Sequence, residues 1–93
     1  MSKLALLQQM LEITTTMADR ARHGVWDDVV TLEKQEAALA KQLEHYASSA
    51  ATAKQEAALI HQILARHDDV RSYVDPWREQ VEPLLRALAP QQG

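Results

Sequence analysis

The sequence contains no cysteine, which excludes a disulfide framework and any metal site built from thiolates. Phenylalanine is also absent and aromatic residues make up only 4% of the chain, so aliphatic side chains and methionine have to supply the core. Two glycines and three prolines are too few for a turn-rich sheet protein and are typical of helices with few connections. Because the glycines stand at positions 24 and 93, no glycine-rich loop that could cradle a phosphate exists.

The chain also lacks basic clusters and long apolar runs. No two Lys or Arg residues are adjacent and the net charge is −3, so we expect no nucleic-acid partner. No run approaches the roughly 20 apolar residues that span a bilayer, so we expect no membrane insertion. The apolar N-terminal patch turns polar at Gln8, too soon for a signal peptide. The predicted location is therefore the cytoplasm.

Metal, cofactor and catalytic sites are not predicted. His61 and His67 are six residues apart, which places them about 120° from each other around a helix, whereas zinc-binding helices use separations of three to five. A helical enzyme of the chorismate mutase class would need several cations converging inside a bundle. The arginines fall on polar or flanking helix faces instead, so we interpret the chain as a binding protein and not an enzyme.

Residues 2–23 are predicted to form a first amphipathic helix. Ser2 is suited to cap its N-terminus, and Gly24 follows Arg20 and Arg22 as a C-terminal cap. The apolar residues fall in one half of a helical wheel: Leu4, Leu6, Leu7, Met10, Leu11, Ile13, Met17, Ala18 and Ala21.

Residues 26–46 are predicted to form a second helix, with Asp27 and Asp28 in its first turn, where carboxylates interact favourably with the helix dipole. Its seam residues recur at alternating steps of three and four, the spacing of a coiled coil: Val29, Leu32, Glu36, Leu39, Leu43 and Tyr46. The small residues 47–51 are predicted to form the reversing loop.

A third helix is predicted to begin after Thr52, which with the Gln three residues later forms a capping-box pattern. Its seam is the longest in the chain: Ile60, Ile63, His67, Val70, Val74, Trp77, Val81, Leu84 and Leu88. This seam crosses Pro76 and Pro83, each of which removes an intrahelical hydrogen bond. Either Asp75 caps a short fourth helix, or one long helix is kinked with both prolines facing water. The unbroken apolar phase favours the long helix.

These patterns predict an all-α fold, an antiparallel three-helix bundle with a long, Pro-kinked third helix or a short fourth helix in its last part. We expect a single helical-bundle domain over residues 1–93. Its predicted helices span about 2–23, 26–46 and 52–74 continuing through 76–89.

The third helix is longer than its predicted neighbours. At 1.5 Å per residue the first two helices span about 30 Å and the third about 55 Å. Folding the third helix back on the second pairs residues whose numbers add up to about 99. Trp26, the first residue of the second helix, would then lie opposite Tyr73. The remainder would project with apolar side chains that lack a partner in the chain, which marks an interaction surface. We predict that partners bind at Val70, Tyr73, Val74, Trp77, Val81, Leu84, Leu85 and Leu88.

Trp77 is the expected anchor of this surface, because Trp is the residue type most often found at the centre of binding energy. Trp26 is expected to staple the corner between the first two helices instead. Three occupants would cover the surface: a client protein, a second copy of the chain, or its own last segment folded back at Pro76.

The same register brings Glu33 and Glu36 within about one turn of Arg66 and His67. Our interpretation is a polar contact that fixes the register of the helices. The alternative is a pH-sensitive lock that depends on His67.

The stretch Trp26–Val30 followed by Glu33, after a helix that ends in a short basic turn, resembles the opening of the second helix in FliT-type flagellar export chaperones. The run from Ile63-Leu64 through Asp69-Val70 and Trp77-Arg78 to Leu84-Leu85 is similar to their long third helix. The resemblance covers most of the chain.

The resemblance implies a protein that holds the flagellar filament-cap subunit in the cytosol, prevents its premature assembly and delivers it to the export apparatus. Some members also bind and inhibit the flagellar transcriptional activator. Members usually carry a further C-terminal helix that masks the binding surface. This sequence stops at Gly93, so we expect either that such a helix is missing or that the segment after Pro76 replaces it. The alternative function is a structural homodimeric adaptor with no export client.

Overall fold

A computed structural model describes residues 2–89, which contain three α-helices and no strand. Helix α1 spans Lys3–Arg22, α2 spans Trp26–Leu43 and α3 spans Ala53–Leu88. The prediction of an all-α fold with a long third helix is confirmed. The molecule is elongated, with extents of 55 × 27 × 16 Å. None of the three helices combines the length and the apolar character needed to cross a membrane.

Both ends of α1 are closed by the predicted residues. The Ser2 hydroxyl oxygen accepts a hydrogen bond of 3.1 Å from the backbone N–H three residues later. At the other end Gly24 adopts a φ of 72°, a conformation that costs glycine little. The Gly24 N–H then donates to the Ala21 carbonyl and the Val25 N–H to the Arg20 carbonyl, at 3.1 and 2.9 Å. These two bonds form a Schellman motif, which ends the helix and turns the chain into α2.

Helix α1 lies at the centre of the molecule. Both α2 and α3 pack against it, whereas no Cα atom of α2 comes within 8 Å of a Cα atom of α3. The expectation that the third helix packs directly beside the second is therefore wrong. The wide apolar face of α1 is the physical reason, because it offers a packing surface to both of the other helices.

The core consists of two apolar clusters along α1. One is formed by Leu7, Met10 and Ile63, and the other by Met17, Ala21 and Val29. Thr14 is completely buried, and its hydroxyl donates to carbonyls one turn earlier in its own helix, at 3.0 and 3.1 Å. This internal bonding removes the cost of burying the hydroxyl group.

The connection between α2 and α3 is longer than predicted. Helix α2 ends at Leu43 instead of residue 46, and the chain crosses to α3 through residues 44–52. The Lys3 ammonium group donates a hydrogen bond of 2.7 Å to the Ser48 hydroxyl, which ties this connection to the start of α1. The connection therefore passes the N-terminal end of α1 and does not form a tight hairpin.

Helix α3 begins after Thr52 as predicted, but the predicted capping box is not formed. The Thr52 side chain accepts no hydrogen bond from the first turn. Its hydroxyl instead donates to the Glu56 carboxylate at 3.1 Å, and Glu56 is buried. The Thr52 carbonyl accepts the Glu56 backbone N–H at 2.8 Å, so the first turn closes through the backbone.

Pro76 and Pro83 both lie inside α3, and both are exposed. The interpretation as one long helix is confirmed, and Asp75 does not cap a separate fourth helix. The carbonyls that the prolines leave without an intrahelical donor belong to Ser72 and Glu79, which are exposed, so water can bond them. The segment after Pro76 continues along the axis of α3, which excludes a fold-back over the bundle.

Candidate interaction surface

Trp26 and Trp77 contact each other where the three-helix body ends. Their ring centroids are 5.5 Å apart, with an angle of 44° between the ring planes. Trp26 thus faces Trp77 and not Tyr73, a shift of about one helical turn from the predicted register. The expectation that Trp77 has no partner in the chain is wrong. Because α2 and α3 meet only through side chains over α1, the length of their connection does not set their register.

Trp26 also packs against the core cluster of Met17, Ala21 and Val29, as expected of a residue at the corner between α1 and α2. Val70 packs against the same cluster, so it belongs to the body of the protein. Of the other predicted surface residues, Tyr73 is 40% exposed, whereas Val74 and Val81 are half-buried. That partners bind at these residues stays a prediction.

The remaining predicted residues form an exposed apolar patch near the end of α3. Leu84, Leu85 and Leu88 are 62, 53 and 82% exposed, respectively. We call these three residues the terminal leucine patch. Because α2 begins level with Trp77, residues 78–88 extend about 17 Å beyond the body of the protein. An intrahelical ion pair of 2.8 Å between Arg86 and Glu82 supports this segment.

A groove runs between α2 and α3, with α1 as its floor. The part near the tryptophan pair has a volume of about 310 Å³. Its lining combines apolar residues at the bottom with charged residues at the rim: Met17, Val29, Glu33, Glu36, His67, Val70, Arg71, Val74, Asp75 and Arg78.

The groove continues toward the connection between α2 and α3 as a second depression of about 380 Å³. Its lining is mostly apolar, with Lys3 and Glu44 as the charged members: Lys3, Leu7, Met10, Leu43, Glu44, Ile60, Ile63 and Leu64. Ile60 and Leu64 are 41 and 55% exposed on successive turns of α3. The predicted surface did not include this pair. Ile60 belongs to the predicted seam of the third helix, and the spacing of four between Ile60 and Leu64 is the sequence signal that could have revealed this pair.

Glu36 and His67 bridge the groove between its two parts. The Glu36 Oε1 and His67 Nε2 atoms are 2.5 Å apart, and the Glu36 side chain is only 11% exposed. The predicted contact between these two residues is confirmed. Arg66 does not take part, because its guanidinium group pairs with Asp69 at 2.9 Å. A role as a pH-sensitive lock stays a prediction.

The groove joins an apolar floor to charged rims, and the terminal leucine patch extends the apolar face beyond the body. Within residues 2–89 no cluster of three or more His, Asp or Glu side chains is placed to hold a metal ion.

Comparison with known proteins identifies the family of the chain. The model of the family described as flagellar protein FliT matches residues 4–93, nearly the whole chain. No curated protein and no solved structure matches it. The resemblance found in the sequence is therefore confirmed at the level of the family. The chain belongs to the flagellar protein FliT family, which is a family of flagellar export chaperones.

Proposed function

We propose that this protein is a cytosolic chaperone that binds the flagellar filament-cap subunit, prevents its premature assembly and delivers it to the export apparatus. Membership of the family supports the chaperone role in general. The observation that carries the choice of surface is the terminal leucine patch. Three large apolar side chains are exposed at the end of α3, where no other helix of residues 2–89 covers them.

The exposed leucines favour binding of a partner because their burial is favourable. Each leucine that moves from water into an interface contributes on the order of 1.5–3 kcal/mol, in proportion to the area buried. Leu84 and Leu88 are one turn apart on α3, and half-buried Val81 lies on the same side. Such a row accepts the apolar face of an amphipathic helix, a common mode of peptide recognition. Covering the client's own assembly surface in this way would keep the client from polymerising.

The test is a double substitution, Leu84→Asp with Leu88→Asp, assayed by calorimetry against the purified filament-cap subunit. We expect binding to fall below detection while circular dichroism shows unchanged helicity, since both residues are exposed. A matched control is Arg86→Gln with Glu79→Gln, which changes two exposed side chains of the same segment away from the leucines. Undiminished binding by the folded leucine variant would exclude the patch as the client site.

A second copy of the chain is the competing occupant, and it defines the alternative of a homodimeric adaptor. Sedimentation at increasing protein concentration separates the two. A monomer that becomes a heterodimer when the cap subunit is added supports the chaperone. A dimer that persists at every concentration and ignores the cap subunit supports the adaptor.

The proposal extends to two further partners implied by the resemblance, the export apparatus and the flagellar transcriptional activator. Purified activator, mixed with the chain and analysed by gel filtration, tests the second. We expect co-elution, and we expect the filament-cap subunit to compete with it if both use the terminal leucine patch. Separate elution of the activator at micromolar concentrations would restrict the proposal to export.

A further inference from the structure

The two walls of the groove carry opposite charges. The α2 wall presents the carboxylates of Glu33 and Glu36, and Glu44 follows directly after the end of α2. The α3 wall presents His67 and the two guanidinium groups of Arg71 and Arg78, with Asp75 as its one acidic group. The floor between them is apolar except for Lys3, which lies at the end of the groove where Glu44 is. This separation of charge is local to the groove. The net charge of the whole chain, −3, does not reveal it.

Most of the wall charges have no partner in the part of the chain that the structure describes. Glu33, Arg71 and Arg78 are exposed, and none of them lies within 4 Å of an oppositely charged group among residues 2–89. Glu36 is already engaged, because its carboxylate contacts the His67 ring nitrogen at the bridge. The unpaired charges are therefore available to an occupant of the groove.

We propose that the groove binds an amphipathic client helix in a single direction, with basic residues of the client against α2 and acidic residues against α3. The inference rests on the proposed chaperone function and specifies the chemistry of its client segment. The groove follows α3 from Ile60 to Arg78, a length of about 27 Å, which accommodates a helix of about 18 residues. A polar client side chain is expected halfway along the apolar stripe, level with the Glu36–His67 bridge, because an apolar group there would leave buried polar atoms without partners.

Direction follows from geometry. An amphipathic helix with acidic residues on one flank of its apolar stripe and basic residues on the other matches both walls in one orientation only. Rotating it end to end exchanges the flanks and places like charges together, which is an element of specificity by repulsion. The charges thus select among helices that the apolar floor alone would accept equally.

Interface area explains why the groove contributes in addition to the terminal leucine patch. A stable interface buries about 800 Å² on each partner. Residues 78–88 are three turns of one helix and offer only part of that area. The groove lies next to this segment and continues the same side of α3, so a client can occupy both.

The experiment uses the full chain and two designed 18-residue helical peptides of identical composition. Both peptides carry the same leucine stripe. In one peptide, Lys residues face α2 and Glu residues face α3 when the peptide lies antiparallel to α3. In the other peptide, the two flanks are exchanged. Both peptides have blocked termini. A peptide with exchanged flanks still matches both walls if it binds in the reverse orientation, so the direction of binding has to be measured. Each peptide therefore carries a nitroxide label at its N-terminus, and the protein carries one on the cysteine of an Ala53→Cys variant.

We expect the two peptides to bind in opposite directions, one with its label close to residue 53 and the other with its label far from it, as measured by electron-spin distances. The orientation preference should be about tenfold at low ionic strength and should disappear near 1 M salt, because the rim charges are exposed. The variant Glu33→Arg with Arg71→Glu should reverse both directions. A control exchange outside the groove, Glu12→Arg with Arg22→Glu, should change neither.

Binding in mixed directions at low salt, or directions that ignore the Glu33→Arg and Arg71→Glu exchange, would overturn the inference. Loss of sedimenting dimers in that variant, with peptide binding absent in all proteins, would assign the groove to a second copy and would also overturn it. The proposed function fails separately. A cap subunit that does not bind the unmodified chain refutes the chaperone role, whereas one that binds through the terminal leucine patch without sensing the charge exchange refutes only the directed groove.

Discussion

The indole ring of Trp26, at the start of α2, lies against the indole ring of Trp77, three turns before the end of α3, with the ring centroids 5.5 Å apart. This contact joins two helices whose backbones do not approach each other. It also marks the level at which α3 leaves the body of the protein. Trp77 therefore stabilises the fold and stands at the base of the terminal leucine patch.

The tryptophan pair should contribute measurably to stability. Trp77→Ala is expected to lower the free energy of unfolding by about 2 kcal/mol, less than for a fully buried Trp. A double-mutant cycle with Trp26→Ala should give a coupling energy of about 0.5–1.5 kcal/mol. Urea denaturation followed by circular dichroism measures both. Tyr73→Ala, an exposed aromatic on the same helix, is the control, and additive effects of the two Trp substitutions would contradict the contact.

At the Glu36–His67 bridge, removing one partner should lower stability more than replacing both partners with apolar residues. His67→Ala leaves the Glu36 carboxylate without its partner and should cost about 1–3 kcal/mol of stability. Replacing both residues by Leu should be nearly neutral, because no unpaired polar group then remains. Chemical denaturation of the single and double variants tests this. Equal losses of unfolding free energy in the single and double variants would show that the bridge does not determine stability. The control is Glu33→Gln, a substitution of an exposed residue.

The left-handed turn after α1 requires glycine for backbone reasons alone. Apart from Gly24 itself and its two chain neighbours, no atom of residues 2–89 lies within 4 Å of the position that a Cβ would occupy at Gly24, so a side chain there meets no steric clash. Gly24→Ala should nevertheless cost about 1 kcal/mol, because its φ of 72° is unfavourable for alanine. Gly24→Asn should cost less, since Asn tolerates this conformation better. Thermal unfolding gives the comparison, and an unchanged midpoint for Gly24→Ala would contradict the Schellman turn.

Pro83 should lower the helical stability of the projecting segment of α3, residues 78–88. Pro83→Ala restores an N–H that can donate to the Glu79 carbonyl and removes a clash worth about 3 kcal/mol in a helix interior. We expect slower amide hydrogen exchange over residues 78–88. Global stability should change little, because residues 83–88 are exposed. Faster exchange in the variant would show that the segment is not helical in solution.

Local features could be read from the sequence because they depend on neighbours along the chain. Ser2 and Gly24 close α1 as expected, since caps involve residues within one turn. The unbroken apolar phase across Pro76 indicated one helix, and the structure has one. The capping box at Thr52 failed for a tertiary reason, because the neighbouring Glu56 is buried and takes the hydroxyl hydrogen bond instead.

The candidate surface was predictable in part. The exposure of Leu84, Leu85 and Leu88 followed from the length of α3, whichever helix it packs against. The burial of Val70 and the partner of Trp77 did not, because they depend on the register between helices. The charged walls of the groove could not be predicted from the sequence either, because their prediction requires knowing which faces of α2 and α3 lie opposite each other.

The helices, the continuity of the third one, its apolar face and the family of the chain could all be read from the order of the amino acids. The packing of the folded chain was needed to reveal that α1 is the central helix, that Trp26 meets Trp77, and that a charged groove opens between α2 and α3. Periodicity records which face of a helix avoids water, and that preference is local. It does not record which other face will cover it, because that choice is made by competition among all apolar surfaces of the folded chain.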